Sequence, residues 1–237
     1  MKILFDNLVI GSTLTSTNAS NNYPPANLQD TSLIRRLQSS LDWDSVTIQL
    51  DETGSISDVF WGYTSAAQIV LRFYDYEGVL LYTHTITNPD SWIGHEAFPV
   101  VSGVDYVELY FDGDLDVYLG GLGLGVAVTM PDPLASWRET PEDNSVVSES
   151  PHGQTNQDYI RPLRQLPFEF PAVMTREQTD TIEELVNGVG KGFPLWVDPF
   201  EDNHDFMKPI YAKITEAVPV TKDGRTYGFA LSLKEAR

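Results

Sequence analysis

Four groups of residues have the types and the spacing that a ligand site or a reaction requires. They are a glycine-rich loop around Lys191 (188–192), a second glycine-rich run (120–125), three alternating aspartates (Asp112, Asp114 and Asp116) and an acidic loop with a histidine (198–205). In the same order, these four patterns are typical of phosphate binding, of dinucleotide binding, of calcium binding and of acid–base or metal chemistry. Each also has a structural explanation, and the flanking residues decide between the two.

The loop 188–192 does not fit a phosphate-binding loop. That loop has the pattern GxxxxGK followed by Ser or Thr, and it joins a strand to the start of a helix. Here Gly192 follows the lysine, and Leu185 stands where the first glycine belongs. The loop also follows a predicted helix, so its amides do not lie at a helix N-terminus, where anions bind. We expect it to end a helix and begin a strand.

The run 120–125 does not fit a dinucleotide site either. Its sequence is GGLGLG, whereas the dinucleotide fingerprint is G-x-G-x-x-G followed by a helix. The next residues, 126–130, continue as a strand that ends at a proline. We expect a final strand whose glycines allow close packing or a bulge.

The acidic groups lack the rest of a metal or catalytic site. An EF-hand that began at Asp112 would need Gly and Glu where Val117 and Gly123 stand. We expect a solvated hairpin turn there and an exposed loop at 198–205. A different calcium loop and a metal or acid–base site remain the respective alternatives. Since no GxSxG or triad pattern is present, we predict no enzyme activity, no catalytic residue, no metal site and no cofactor.

Two aromatic segments lie next to turn residues. Trp61 and Tyr63 flank a glycine, and Trp92 precedes His95 by three positions. An exposed aromatic ring offers a flat apolar face on which a sugar can stack, and Trp and Tyr add a polar tip. Trp61, Tyr63, Trp92 and His95 are therefore the candidate sugar-binding residues. The alternative is that these rings cover the ends of a β-sandwich.

The composition excludes several classes of function. The chain has 237 residues and a formal net charge of −19, so we expect repulsion from nucleic acid and no direct binding to it. No apolar run reaches the length of about 18 residues that a membrane span needs, and we predict no membrane insertion. The absence of cysteine excludes thiol catalysis and disulfides. Asp6 interrupts the apolar N-terminus, which makes it a poor signal peptide for secretion.

Alternating strands dominate residues 1–130. Val46, Ile48 and Leu50 lie on one face of a predicted strand, and a glycine-containing connection, 74–78, joins two further strands as a hairpin. The predicted strands are 45–50, 68–73, 79–86 and 106–111. This spacing is typical of an antiparallel sandwich.

The second half of the chain begins with a change of composition. Residues 131–157 are rich in proline and polar residues, and we interpret them as an extended linker or arm. Residues 158–237 then predict a small β-barrel-like domain with one helix at about 175–187. Thr175 and Gln178 form a capping box at the start of that helix. The predicted fold class is all-β, with a sandwich before this small domain.

Two resemblances extend these predictions. Residues 1–130 resemble the discoidin-like, galactose-binding-like jelly rolls, through 19–30, the SVTIQL strand at 45–50 and the glycine-rich strand at 118–125. That resemblance implies a jelly-roll sandwich and suggests sugar binding. Residues 158–237 resemble the C-terminal part of distal and minor tail proteins of long-tailed bacteriophages. The order of a capped helix, a glycine turn, the FPLWV strand and an acidic proline loop carries this second resemblance.

The tail-protein resemblance implies a structural component of a phage tail tip or baseplate. The small β domain would join a ring of three or six copies around the tail axis, and the jelly roll would project outward. The implied partners are tube, hub and fibre proteins, and the implied location is the virion, after synthesis in the host cytoplasm. Phe193, Pro194, Trp196 and Phe200 are the predicted assembly residues. The alternative function is a carbohydrate-binding module that adheres to a host-surface glycan.

Overall fold

The computed structural model describes two compact units. The described residues are 1–30, 32–33, 35–90, 92–114, 116–133, 140–142, 146–149, 155–158, 163–170, 180, 184, 194–200, 207–222 and 226–236. The first unit contains Met1–Met130 together with Leu195–Tyr211, and the second contains Pro131–Pro194 and Ala212–Ala236. No helix within the described residues is long and apolar enough to cross a membrane.

Nearly all of the regular secondary structure described in the first unit is β-strand, which confirms the predicted all-β fold. They are β1 (Lys2–Leu4), β2 (Thr13–Ser16), β3 (Leu37–Gln38), β4 (Trp43–Thr64), β5 (Ala66–Tyr74), β6 (Leu80–Thr87), β7 (Ile93–Gly113), β8 (Tyr118–Gly125) and β9 (Val128–Thr129). A short 3-10 helix spans Pro25–Gln29. The main sheet has the order β3-β8-β4-β7-β5-β6, with β2 also paired to β4.

Two long strands, β4 and β7, fold this sheet into a sandwich. The first half of β4 pairs with the second half of β7, whereas its second half pairs with both the first half of β7 and β8. Register shifts between Gln49 and Gly54 and between Ile56 and Asp58 interrupt the pairing, and such bulges bend a strand. Both halves bury their apolar side chains in one core cluster, which includes Val46 and Val59.

The sequence pattern located the central strands of this sandwich. Val46, Ile48 and Leu50 are all buried, as their alternation predicts. Strands β5 and β6 form the predicted hairpin, with Leu71 opposite His84. The turn after Asp112 is exposed at Asp114 and Asp116, but it does not form the predicted hairpin. It connects β7 to β8, and these two strands lie on opposite sides of β4.

The glycines of β8 allow another side chain to approach the strand closely. A Cβ atom on Gly123 would lie 2.7 Å from Cδ1 of Trp196, and one on Gly121 would lie 3.3 Å from its Cζ2 atom. Leu122 and Leu124 point instead into the sandwich core. The prediction that these glycines serve close packing is confirmed. Trp196 belongs to β14 (Pro194–Asp198), which pairs with β1, and β1 pairs in turn with β9.

The second unit is also built from antiparallel strands. Its larger sheet joins β10 (Thr140–Glu142), β13 (Leu163–Glu169), β16 (Thr226–Glu235) and β15 (Ile210–Lys222). A separate hairpin pairs β11 (Val146–Glu149) with β12 (Thr155–Asp158). The Arg164 guanidinium donates to the Glu235 carboxylate across the larger sheet, with Nη2 and Oε1 3.3 Å apart.

The division of the chain differs from the predicted one in two ways. Residues 131–157, predicted as an extended linker, contain three strands. Residues 195–211, predicted to lie in the C-terminal domain, belong to the first unit. Local patterns could not reveal this because apolar residues 195–197 have no nearby sequence partner and pack against residues far away in the chain. The predicted helix at about 175–187 lies outside the described residues, apart from Asp180 and Glu184, which have helical backbone.

Candidate functional site

The first unit contains an open cavity of about 280 Å³ at one end of its strands. Its wall consists of the last residues of β6 and the connection that follows it, the first residues of β7, one side chain from β4 and two residues that precede β15. The lining residues are Trp61, 86–90, 93–96, Lys208 and Pro209. Two of the four predicted sugar-binding residues, Trp61 and His95, lie in this wall.

Trp61 shapes the cavity but presents little of its own surface. Its side chain is only 3% exposed, and its Nε1 atom donates a hydrogen bond to the carbonyl oxygen of Asp90 at 3.0 Å. Gly94 lies against the indole so closely that a Cβ atom there would come within 2.1 Å of Cζ2. Trp61 therefore holds the connection between β6 and β7 in place, with Gly94 providing the necessary space.

Tyr63 and Trp92 form an aromatic pair beside this wall. Their ring centroids are 5.7 Å apart with an interplanar angle of 54°, and the Tyr63 amide donates to the Trp92 carbonyl. Tyr63 has a φ of 44°, a left-handed backbone conformation that non-glycine residues adopt rarely. Trp92 is 48% exposed. Of the four predicted sugar-binding residues, Trp92 thus offers the most ring surface to solvent.

Polar and charged side chains also line the cavity. Lys208 forms an ion pair with Asp90, and Nε2 of His84 lies 2.9 Å from Oε2 of Glu96. Asn88 has a φ of 51°, and its backbone N–H donates to the Ala67 carbonyl at 2.8 Å. The two ion pairs hold carboxylate and ammonium groups at the opening, and the backbone hydrogen bond holds the connection that contains Asn88.

His95 belongs to this wall, but its side chain is buried between two carboxylates. Its Nδ1 atom is 2.7 Å from Oδ2 of Asp198, and its Nε2 atom is 3.0 Å from Oδ1 of Asp58. All three side chains are at most 1% exposed. Phe60 stacks on the imidazole with centroids 4.2 Å apart. We call these three residues the Asp–His–Asp bridge.

In the bridge, the imidazole and the carboxylates stabilise each other's charged form. Burial by itself would lower the pKa of His95, but hydrogen bonds to Asp198 and Asp58 outweigh it and raise that pKa above 6.5. Burial likewise opposes ionisation of Asp58, yet hydrogen bonds from His95, Ser57 and the Ala127 amide hold its pKa below 3.8. A buried cation between carboxylates is the arrangement in which both shifts are expected.

The predicted assembly residues lie in different environments. Trp196 is 2% exposed, and its ring packs against Phe60 at 5.9 Å and Tyr211 at 4.6 Å between centroids. It is thus a core residue of the first unit. Pro194 is buried, Phe200 is half-buried, and Phe193 lies outside the described residues. Whether these residues mediate assembly stays a prediction.

The acidic loop predicted at 198–205 divides into two parts. Its first residue, Asp198, is buried in the bridge and also accepts a hydrogen bond from the Phe200 amide at 3.2 Å. Residues 201–205 lie outside the described residues. Among the described residues, no group of three or more His, Asp and Glu side chains could hold a metal ion.

The sequence prediction missed Asp58 and the pairing of His95 with Asp198. A signal was present in ISDVFW, residues 56–61, where one acidic residue interrupts an apolar strand. A buried carboxylate requires a partner, so Asp58 implied a cationic or donor residue opposite it. The identity of that partner depends on the pairing of β4 with β7, where Phe60 lies opposite His95.

About half of the chain aligns with solved carbohydrate-binding modules. Chitosan-binding module 1 of a chitosanase/glucanase from Paenibacillus sp. IK-5 has a TM-score of 0.44 and 16% identity, over 51% of this chain and 98% of the module. The lectin domain of lectinolysin, complexed with Lewis B antigen, has a TM-score of 0.45 and 8% identity, over 50% and 95%. A fucose-binding module from Streptococcus pneumoniae has a TM-score of 0.45 and 10% identity, over 51% and 98%. No family model matches the chain, and no curated protein matches it.

Proposed function

We propose that this protein is a carbohydrate-binding protein without catalytic activity, and that its site is the cavity at 86–90 and 93–96. The single observation that carries this proposal is the composition of the site. The exposed Trp92 directly precedes the lining residue Ile93, and the polar residues Asn88, Asp90, Glu96 and Lys208 line the cavity. An aromatic ring next to polar groups suits a sugar, because each sugar ring has an apolar C–H face and a set of hydroxyl groups.

The size of the cavity and the net charge of the chain narrow the class of ligand. The cavity volume of about 280 Å³ lies just below the ~300–1,000 Å³ typical of small-ligand pockets, which suits one terminal sugar ring. Carboxylates accept hydrogen bonds and an ammonium group donates them, so both types of partner are available to a hydroxyl group. A chain with a net charge of −19 disfavours sulfated or phosphorylated glycans. We therefore expect a neutral or amino sugar.

Screening on a glycan array, followed by titration calorimetry with the best sugar, tests this proposal. Chitotriose, fucose and the Lewis B antigen are suitable first probes. We expect saturable binding with a 1:1 stoichiometry to neutral or amino sugars. The absence of binding to any glycan at millimolar concentration would contradict the proposal.

A structural role in a phage tail tip is the second candidate. It is favoured by the edge strand β6, because its first residues, Leu80 and Leu81, and the preceding Val79 are exposed. An apolar edge strand is prone to pair with another chain, and a ring of subunits could cover it. Mass measurement of the purified protein tests this role, which predicts a closed multimer of three or six copies. A stable monomer that is absent from purified virions would exclude it.

A further inference from the structure

We propose that the Asp–His–Asp bridge is the positioning element of the cavity and that a doubly protonated His95 is required for ligand binding. Binding should therefore be lost at alkaline pH while the fold persists. This inference rests on the proposed function, because it concerns the same cavity. It assigns the buried His95 side chain a positioning role in place of the direct sugar contact predicted from the sequence.

With both carboxyl groups ionised, the geometry of the bridge requires two N–H groups on one imidazole. Nδ1 and Nε2 both lie within 3.0 Å of a carboxylate oxygen, and a carboxylate only accepts hydrogen bonds. A neutral imidazole carries one N–H, so its other nitrogen would direct a lone pair at a carboxylate. Removal of one partner from a buried charged group is strongly unfavourable. Loss of the proton from His95 must therefore separate the imidazole from Asp58 or Asp198.

A movement of His95 would displace the cavity wall directly, because the neighbouring residues in the chain form that wall. His95 lies between Gly94 and Glu96, and all three residues line the cavity. Gly94 contacts the indole of Trp61, which holds Asp90 through its Nε1 hydrogen bond. A movement of His95 away from either carboxylate thus displaces the residues that place the polar groups of the site.

The bridge also anchors the segment that contributes Lys208 and Pro209. Asp198 is fixed to His95, and Trp196 in the same strand packs against Tyr211. Tyr211 follows Pro209 by two positions. Since Lys208 and Pro209 also line the cavity, the bridge connects two separate segments of the lining to one titratable group.

The remaining charged groups near the site are already paired with each other. From β4 and β14, the carboxylates of Asp58 and Asp198 face His95. Phe60 covers the ring face, and Ser57 and the Ala127 amide complete the contacts of Asp58. Around the cavity, Glu96 is paired with His84, and Asp90 is paired with Lys208. His95 is therefore the group whose titration changes the hydrogen bonds of the bridge near neutral pH.

The protonation state of His95 can be measured without any ligand. Nitrogen-15 NMR spectra of the four histidine side chains, assigned with His95→Gln, report whether each ring carries one or two protons. We expect His95 to be doubly protonated at pH 7 and to titrate above the ordinary histidine range. A neutral His95 at pH 7 would overturn the proposal.

The link to binding is tested by measuring glycan affinity against pH for matched variants. Asp198→Asn removes one carboxylate, and we expect the upper pH midpoint for binding to fall by roughly 1–3 units. Asp42→Asn is the matched control, since Asp42 is exposed and belongs neither to the bridge nor to the cavity lining, and its midpoint should match that of the wild type. A midpoint that Asp198→Asn leaves unchanged would overturn the proposal.

Circular dichroism at each pH separates local positioning from global unfolding. We expect the β-sheet spectrum to persist at the pH where binding has fallen tenfold. Loss of binding only together with the spectrum would overturn the positioning role. If the array shows no glycan binding at any pH, the proposed function fails, and the NMR titration still decides whether His95 is charged within the bridge.

Discussion

The Nδ1 atom of His95 lies 2.7 Å from Oδ2 of Asp198, although the two residues are 103 positions apart in the chain. This hydrogen bond fastens residues 195–211 to the sandwich formed by 1–130. It also joins a histidine that the sequence suggested as a sugar ligand to an aspartate that it suggested for an exposed acidic loop. Both residues are buried, so their shared role is to hold the site in place.

Substitution of Asp198 by alanine should destabilise the protein strongly. The change leaves a charged or half-satisfied imidazole in a buried position, and breaking a buried pair in this way costs about 3–5 kcal/mol. Urea unfolding at pH 6 measures the effect. Glu52→Ala serves as the control because Glu52 is exposed, and surface changes usually alter stability by less than ~0.5 kcal/mol. Equal stability of the two variants would contradict the structural role of the bridge.

The stability of the protein should depend on pH in two separate ranges. The pKa of His95 is raised in the folded state, so its contribution is complete below about pH 6.5 and is lost as the pH rises through the folded-state value. The pKa of Asp58 is lowered, so its contribution is present above about pH 4 and is lost as the pH falls.

Thermal unfolding across this pH range measures both effects. We expect the melting temperature to be highest between the two transitions. We further expect His95→Gln to remove the loss of stability on the alkaline side. An alkaline decline of the same size in this variant would show that another group is responsible.

Trp196→Ala should destabilise the first unit by about 3–5 kcal/mol, as expected for a large aromatic side chain removed from a core. The indole fills the space above the β8 glycines, and alanine would leave that space empty. Denaturant unfolding checks the prediction, with Trp43→Ala as a matched control because Trp43 is 37% exposed. A native-like stability of Trp196→Ala, with loss of oligomers alone, would instead support an interface role.

Gly94→Ala should disturb the cavity by displacing Trp61. The added Cβ atom would lie 2.1 Å from Cζ2 of the indole, a distance at which one of the groups must move. We expect at least tenfold weaker glycan binding, measured by calorimetry. Gly103→Ala is the control, since its φ of 78° imposes backbone strain of about 1–2 kcal/mol with no atom near the new Cβ. Equal affinity in both variants would contradict the role assigned to Trp61.

Local sequence patterns predicted much of the fold because they report on local structure. The alternation of Val46, Ile48 and Leu50 located a central strand, and the glycines of 120–125 indicated close packing. These patterns could not predict that residues 195–211 belong to the first unit. It depends on a tryptophan that fits a surface made of Gly121 and Gly123, and a single sequence does not show which residue fills that surface.

The sequence predicted residues that lie at or near the candidate site, but it did not predict their roles. Trp61, Tyr63, Trp92 and His95 all lie at or near one cavity because β4 pairs with the start of β7. Their separate roles depend on burial, which the sequence did not reveal. Trp92 is exposed, Trp61 supports the neighbouring connection, and His95 is held between Asp58 and Asp198. Lys208 lies at the site because residues 195–211 pack against the first 130 residues, which local patterns do not reveal.

Calorimetric titration of the best array glycan into wild-type protein, Trp92→Ala and Trp43→Ala tests the proposed carbohydrate site most directly. Both tryptophans are exposed, but only Trp92 lies beside the cavity, while Trp43 stacks on Tyr110 elsewhere in the sheet. We predict that Trp92→Ala weakens binding tenfold or more, equivalent to about 1.4 kcal/mol, and that Trp43→Ala binds like the wild type. Unchanged binding by Trp92→Ala, or an equal loss in both variants, would contradict the proposed site.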